Sequence, residues 1–100
     1  MFDFFKNLFK STDYKALMLQ GAKIIDVRSE AEYKSGHING SQNIPLQKIG
    51  NHLKKIASLN TTIILCCASG MRSNQATSML KSEGVDAYNG GGWRPLRSKI

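Results

Sequence analysis

One hundred residues, 41% of them hydrophobic and 21% charged, suffice for one domain with a substantial core and leave no room for a second. The only two cysteines, Cys66 and Cys67, are adjacent, which excludes a disulfide framework and a spaced zinc set, and their free thiols favour a reducing, cytoplasmic setting over secretion. The net charge of +7 divides into +2 for residues 1–50 (7 basic minus 5 acidic) and +5 for residues 51–100 (7 minus 2), but the basic residues are scattered, aromatics are few and no nucleic-acid motif occurs, so the field suits a small anion and not DNA or RNA.

Residues 1–12 read as an amphipathic lead. Phe2, Phe4, Phe5, Leu8 and Phe9 fall on one side of a helical wheel, and Asp3, Lys6, Asn7 and Lys10 on the other. Lys6 and Lys10 interrupt any apolar run, no small-residue cleavage site follows, and nothing reaches transmembrane length. The lead is therefore expected to dock on the domain's own surface in preference to a membrane or a partner.

The domain itself occupies residues 13–100. Asp13–Gln20 predicts a short helix through Tyr14, Leu17 and Met18, with Ser11 or Thr12 as its cap and Gly21 as its stop. Lys23–Val27 predicts a buried strand, and Ser29-Glu30-Ala31-Glu32 a capping box that opens a helix ending near Gly36. Ser41–Ile44 is a short strand closed by Pro45. The next helix carries Leu46, Ile49, Leu53 and Ile56 on one face; Gly50 weakens it slightly, and His52 is placed on its solvated side with no role. Thr61–Cys66 is a β-branched strand, Ser73–Lys81 a helix burying Ala76, Met79 and Leu80, and Gly84 its left-handed stop. Val85–Tyr88 is a last strand, and Gly90-Gly91-Gly92-Trp93 a loop.

Strands alternating with helices at this spacing imply a parallel sheet with helices on both faces and a site outside the carboxyl ends of its strands. Cys67 stands at such an end, directly before a helix. The run Cys67-Ala68-Ser69-Gly70-Met71-Arg72 is thus a strand-to-helix loop in which unpaired N–H groups and the helix dipole favour an anion. A thiolate is itself an anion, so the Cys67 pKa is expected to fall from the ordinary ~8.5, with the Arg72 guanidinium adding to the effect if it turns inward. Because side chains alternate along a strand, Cys66 points to the opposite face and belongs to the core. Asp26, Val27 and Arg28 end a second strand that shares the same cleft.

From Tyr14 to Trp93 the chain resembles a single-domain rhodanese. The resemblance rests on Ile24–Leu46 (IIDVRSEAEYKSGHINGSQNIPL), Cys67–Ser73 (CASGMRS) and Asn89–Trp93 (NGGGW). It implies an α/β fold with an open parallel five-stranded sheet flanked by helices on both faces. It also implies a sulfurtransferase in which Cys67 attacks the outer sulfur of a small anionic donor such as thiosulfate, becomes a persulfide, and passes that sulfur to cyanide, a thiol or an acceptor protein. No metal and no organic cofactor take part: the N–H donors from Ala68, Ser69, Gly70, Met71, Arg72 and Ser73 stabilise the persulfide anion, in the manner of an oxyanion hole.

Asp26 and Arg28 match the family's DVR signature and are read as tying the strand end to neighbouring loops, and His37 of the GHI segment as a hydrogen bonder that fixes its loop. Trp93 is read as covering the core beside a tight glycine backbone. Position 68 is alanine, whereas thiosulfate-preferring members with tandem domains have a basic residue there. The related cell-cycle phosphatases and arsenate reductases have a seven-residue loop, against six from Cys67 to Arg72 here, and the shorter ring suits a sulfur atom better than a tetrahedral oxyanion. A non-enzymatic sulfur carrier or protein-interaction module is the alternative of a different class.

Overall fold

A computed structural model of the chain describes residues 12–100, so the reading of the amphipathic lead falls outside the described residues. Helix α1 (Tyr14–Leu19) is capped by Asp13, whose carboxylate accepts the Ala16 N–H at 3.0 Å. The cap is thus neither Ser11 nor Thr12. Strand β1 (Lys23–Asp26) leads into α2 (Glu30–Ser35), where the expected capping box forms in both directions between Ser29 and Glu32. Strand β2 spans only Gln42–Asn43.

The helix expected next is broken in two. Helix α3 (Leu46–Ile49) and helix α4 (Leu53–Ala57) are separated by a 3-10 turn over Gly50–His52, which ends with His52 at φ −113°, ψ 0°. The apolar face nevertheless stays continuous, with Ile49 and Ile56 buried and Leu46 and Leu53 packed beside them.

Strand β3 (Ile63–Cys67) is buried at every position. It sits between β1 and the last strand in an all-parallel sheet of order β2-β1-β3-β4, where β4 is Ala87–Gly92. Burial on both faces is the condition under which parallel strands read as continuous apolar runs. Ile63, Leu65 and Cys67 face a core cluster with Ile49, Ile56, Ala76 and Leu80, the last two from α5 (Met71–Ser82). Ile64 and Cys66 face a second cluster with Ala22, Ile24, Trp93 and Leu96, which α1 also covers.

Two expectations are corrected at the C-terminal end. The glycines read as a loop belong to β4, and Trp93–Arg97 forms a further helix, α6. Glycine is a poor strand former, so its presence here reflects close packing. A Cβ on Gly90 would lie 2.8 Å from Leu96 Cδ2 and 2.9 Å from Ile64 Cγ2, and one on Gly92 would lie 2.9 Å from the Ala68 carbonyl oxygen. A register shift between Leu65 and Cys66 lets β4 carry this irregular stretch. The fold is α/β with helices on both faces of the sheet, but the sheet has four strands among the described residues, one fewer than expected. No helix of the described residues is long and apolar enough to cross a membrane.

Candidate active site

Cys67 is the last residue of β3, and Gly70 turns the chain into α5 through the left-handed region at φ +97°. A side chain there would be strained, and a Cβ would also lie 3.2 Å from Gly91 Cα. The turn aims two donors at the Cys67 sulfur, Gly70 N–H at 3.0 Å and Ser73 N–H at 3.4 Å, and sets the Ser73 hydroxyl 3.3 Å from it as a further hydrogen-bond partner. Burial pushes the Cys67 thiol up, but the hydrogen bonds of the Ser73 hydroxyl and of the Ser73, Ser69 and Gly70 N–H groups outweigh it, so the pKa lies below that of an ordinary thiol. Among the described residues, the neighbouring Cys66 has no such donors. Its burial, with the Asp26 charge adding, pushes it up to about 12. One thiol of the adjacent pair is therefore prepared to ionise and the other is held neutral.

The rim of the loop is Ala68, Ser69 and Met71, all exposed, with Met71 81% so. Arg72 does not hydrogen-bond to Cys67. Its guanidinium forms a fork with Glu32 of α2, Nη1 to Oε1 at 2.7 Å and Nη2 to Oε2 at 2.9 Å. The inward turn considered from the sequence is thus replaced by a clamp between the loop helix and the capping-box residue. The Arg72 bonds and the Ser29 N–H hold the Glu32 carboxyl at about 2, so the pair is fully charged at neutral pH.

Asp26 and Arg28 meet at the end of β1 and are both buried. Asp26 accepts from the Arg28 backbone N–H and, at 2.7–3.0 Å, from its guanidinium, which also donates to the carbonyls of Glu32 and Gly36. The Arg28 guanidinium carbon lies 4.7 Å from the Trp93 ring centre, so the buried cation is packed as well as paired. This arrangement joins the end of β1 to α2, to the loop after it and to α6. His37 stacks on Tyr33 at 3.7 Å and bonds through Nδ1 to the Tyr33 carbonyl at 2.7 Å, away from the Cys67 hydrogen bonds. His52 bonds to the Lys48 carbonyl on an exposed surface.

Asn89 is the site residue that the sequence reading missed. It opens the NGGGW motif on β4, accepts the Ser73 hydroxyl at 2.7 Å and the Gly91 N–H at 3.0 Å, and donates to the Gly70 carbonyl at 3.1 Å. Its only signal in the sequence is its place at the head of that motif. Hollows of about 260 and 280 Å³ lie at the opposite, N-terminal ends of the strands and do not border Cys67. Among the described residues no group of three or more His, Cys, Asp or Glu side chains is placed to hold a metal ion.

The rhodanese-like domain family model matches residues 10–95. A thiosulfate sulfurtransferase of Pseudomonas fluorescens is 34% identical over 76 residues, covering 75% of this chain and 69% of that protein. Among solved structures, a rhodanese-like domain protein from Staphylococcus aureus superposes with a TM-score of 0.69 at 29% identity, covering 95% of this chain and 85% of that one. A human single-domain sulfurtransferase gives the same TM-score at 28% identity, over 87% and 91% of the two chains.

Proposed function

This chain belongs to the rhodanese-like domain family, and on that premise we propose that it is a sulfurtransferase in which Cys67 carries the sulfur as a persulfide. The observation that supports this most is the convergence of the Gly70 and Ser73 N–H groups and the Ser73 hydroxyl on one sulfur at the end of β3. The Cys67 thiolate attacks the outer sulfur of the donor; that sulfur–sulfur bond breaks and its electron pair leaves with the remainder, as sulfite when the donor is thiosulfate. The new persulfide is an anion, and fixed N–H donors at the loop stabilise it without reorganising. A thiophile then attacks the outer sulfur and returns Cys67 to the thiolate. No proton has to move in either displacement, which fits a sulfur with no general base bonded to it among the described residues.

The rim favours a modestly charged donor. Ala68 brings no cation, and Arg72 is neutralised by Glu32, so thiosulfate serves as an assay donor while an organic persulfide suits the natural donor and a thiol the acceptor. A free, ionised thiol of this kind suits a reducing cytoplasm.

The test is cyanide-dependent turnover of thiosulfate by two single variants. Cys67→Ser should abolish it and Cys66→Ser should retain most of it. Equal loss in both variants with the fold intact would contradict the assignment of Cys67, while persulfide formation without turnover would favour the carrier alternative.

A further inference from the structure

The Ser73 hydroxyl has one proton and two acceptors within reach, Asn89 Oδ1 at 2.7 Å and Cys67 Sγ at 3.3 Å. While Cys67 is a thiol, every proton has a place: S–H donates to Ser73 Oγ, Ser73 O–H donates to Asn89 Oδ1, and Gly91 N–H donates to the same oxygen at 3.0 Å. Once Cys67 ionises, the sulfur has nothing to donate and becomes the stronger acceptor. The hydroxyl can then turn to it, and Asn89 Oδ1 keeps the Gly91 N–H. When the sulfur takes up a second sulfur atom, the charge moves outward and the inner atom becomes a weak acceptor, so the hydroxyl returns to Asn89.

We infer that Asn89 is a positioning residue for sulfur transfer, which competes with the Cys67 sulfur for the Ser73 proton and so sets how strongly the thiolate is held. Two other contacts fix the competitor in place. Asn89 Nδ2 donates to the Gly70 carbonyl at 3.1 Å, and the Asn89 carbonyl accepts from the Tyr14 hydroxyl of α1 at 3.0 Å. Ser73 is itself fully buried, so water does not supply an alternative partner. A thiolate held too tightly is a poorer nucleophile, and one held too loosely is a poorer leaving group. Asn89 places the site between these limits.

The inference rests on Cys67 being the reacting sulfur, and the test keeps the two apart. The rate of Cys67 alkylation is followed against pH in the full chain, together with persulfide formation from thiosulfate and a thermal melt of each variant. Asn89→Ala removes the competing acceptor and should lower the midpoint by about half a pH unit or more, and the shift should fall below about 0.2 unit in a Ser73→Ala background. Asn89→Asp offers a stronger, charged acceptor and should raise the midpoint. Both substitutions lose the Nδ2 bond to Gly70, so a purely structural role would move both midpoints the same way. The charged neighbours, Arg72 with Glu32 and Asp26 with Arg28, are common to every variant, and the charge that Asn89→Asp adds is controlled by repeating that variant in the Ser73→Ala background.

Shifts of the same sign, or an Asn89→Ala shift of equal size with and without Ser73, would overturn the inference. If Asn89→Ala does not fold, Asn89→Asp decides: a rise in the midpoint that is clearly larger with Ser73 present than in a Ser73→Ala background supports the inference, and an equal rise in both, which the new charge alone would give, or no rise overturns it. Failure of Cys67 to take up sulfur in the unsubstituted protein would instead bring down the proposed function.

Discussion

Cys67 is 1% exposed and would, on burial alone, be a poor acid. The Ser73 hydroxyl and the Ser73, Ser69 and Gly70 N–H groups reverse that, and the largest contribution comes from the Ser73 hydroxyl, followed by the Ser73 N–H. Arg72 adds only through its charge, because its donors are spent on Glu32. Since the folded pKa is lowered, the thiolate is present at pH values where a free cysteine is still protonated. Alkylation of the native protein should therefore reach half its maximal rate below the free-thiol value of ~8.5. Ser73→Ala should move that midpoint upward further than Arg72→Ala does. The reverse order would mean that the guanidinium, and not the loop, holds the thiolate.

At the scale of elements, the glycines act in opposite ways. Gly50 has helical backbone angles (φ −58°, ψ −30°), and a Cβ there would meet nothing closer than Met79 Cε at 3.8 Å. Gly50→Ala should stabilise the protein by about 0.5–1 kcal/mol in urea unfolding. Gly90 has no such space, with a Cβ at 2.8–3.0 Å from Leu96, Ile64 and the Leu65 carbonyl, and Gly90→Ala should cost about 1–3 kcal/mol. The same contrast explains what could be read from the sequence. The Ser29–Glu32 capping box and the strand-loop-helix around Cys67 are local patterns, in which neighbours along the chain decide the structure. The glycine strand and α6 are decided by atoms from β3 and the loop, and their own composition argues against them. Likewise Arg72 finds Glu32 across 40 residues and Ser73 finds Asn89 across 16, pairings that no spacing rule encodes.

For the whole molecule, the sheet brings β1, β3 and β4 to one end, where Asp26 with Arg28, Cys67 and Asn89 stand together in the fold. Among the described residues, the hydrogen bonds on the Cys67 sulfur come from Gly70 and Ser73. Deleting residues 2–10 should thus leave cyanide-dependent turnover within about threefold of the full chain, a barrier change under ~1 kcal/mol. A truncated protein that stays folded and loses turnover would place part of the site in that segment. The central claim is that one sulfur of the Cys66–Cys67 pair carries cargo, and the most direct measurement is the intact mass of the protein after incubation with thiosulfate, with peptide mapping of the adduct. The account predicts a gain of one sulfur atom on Cys67, removed by cyanide and absent from Cys67→Ser. No gain in mass, or a cyanide-resistant adduct, or one located on Cys66, would contradict it.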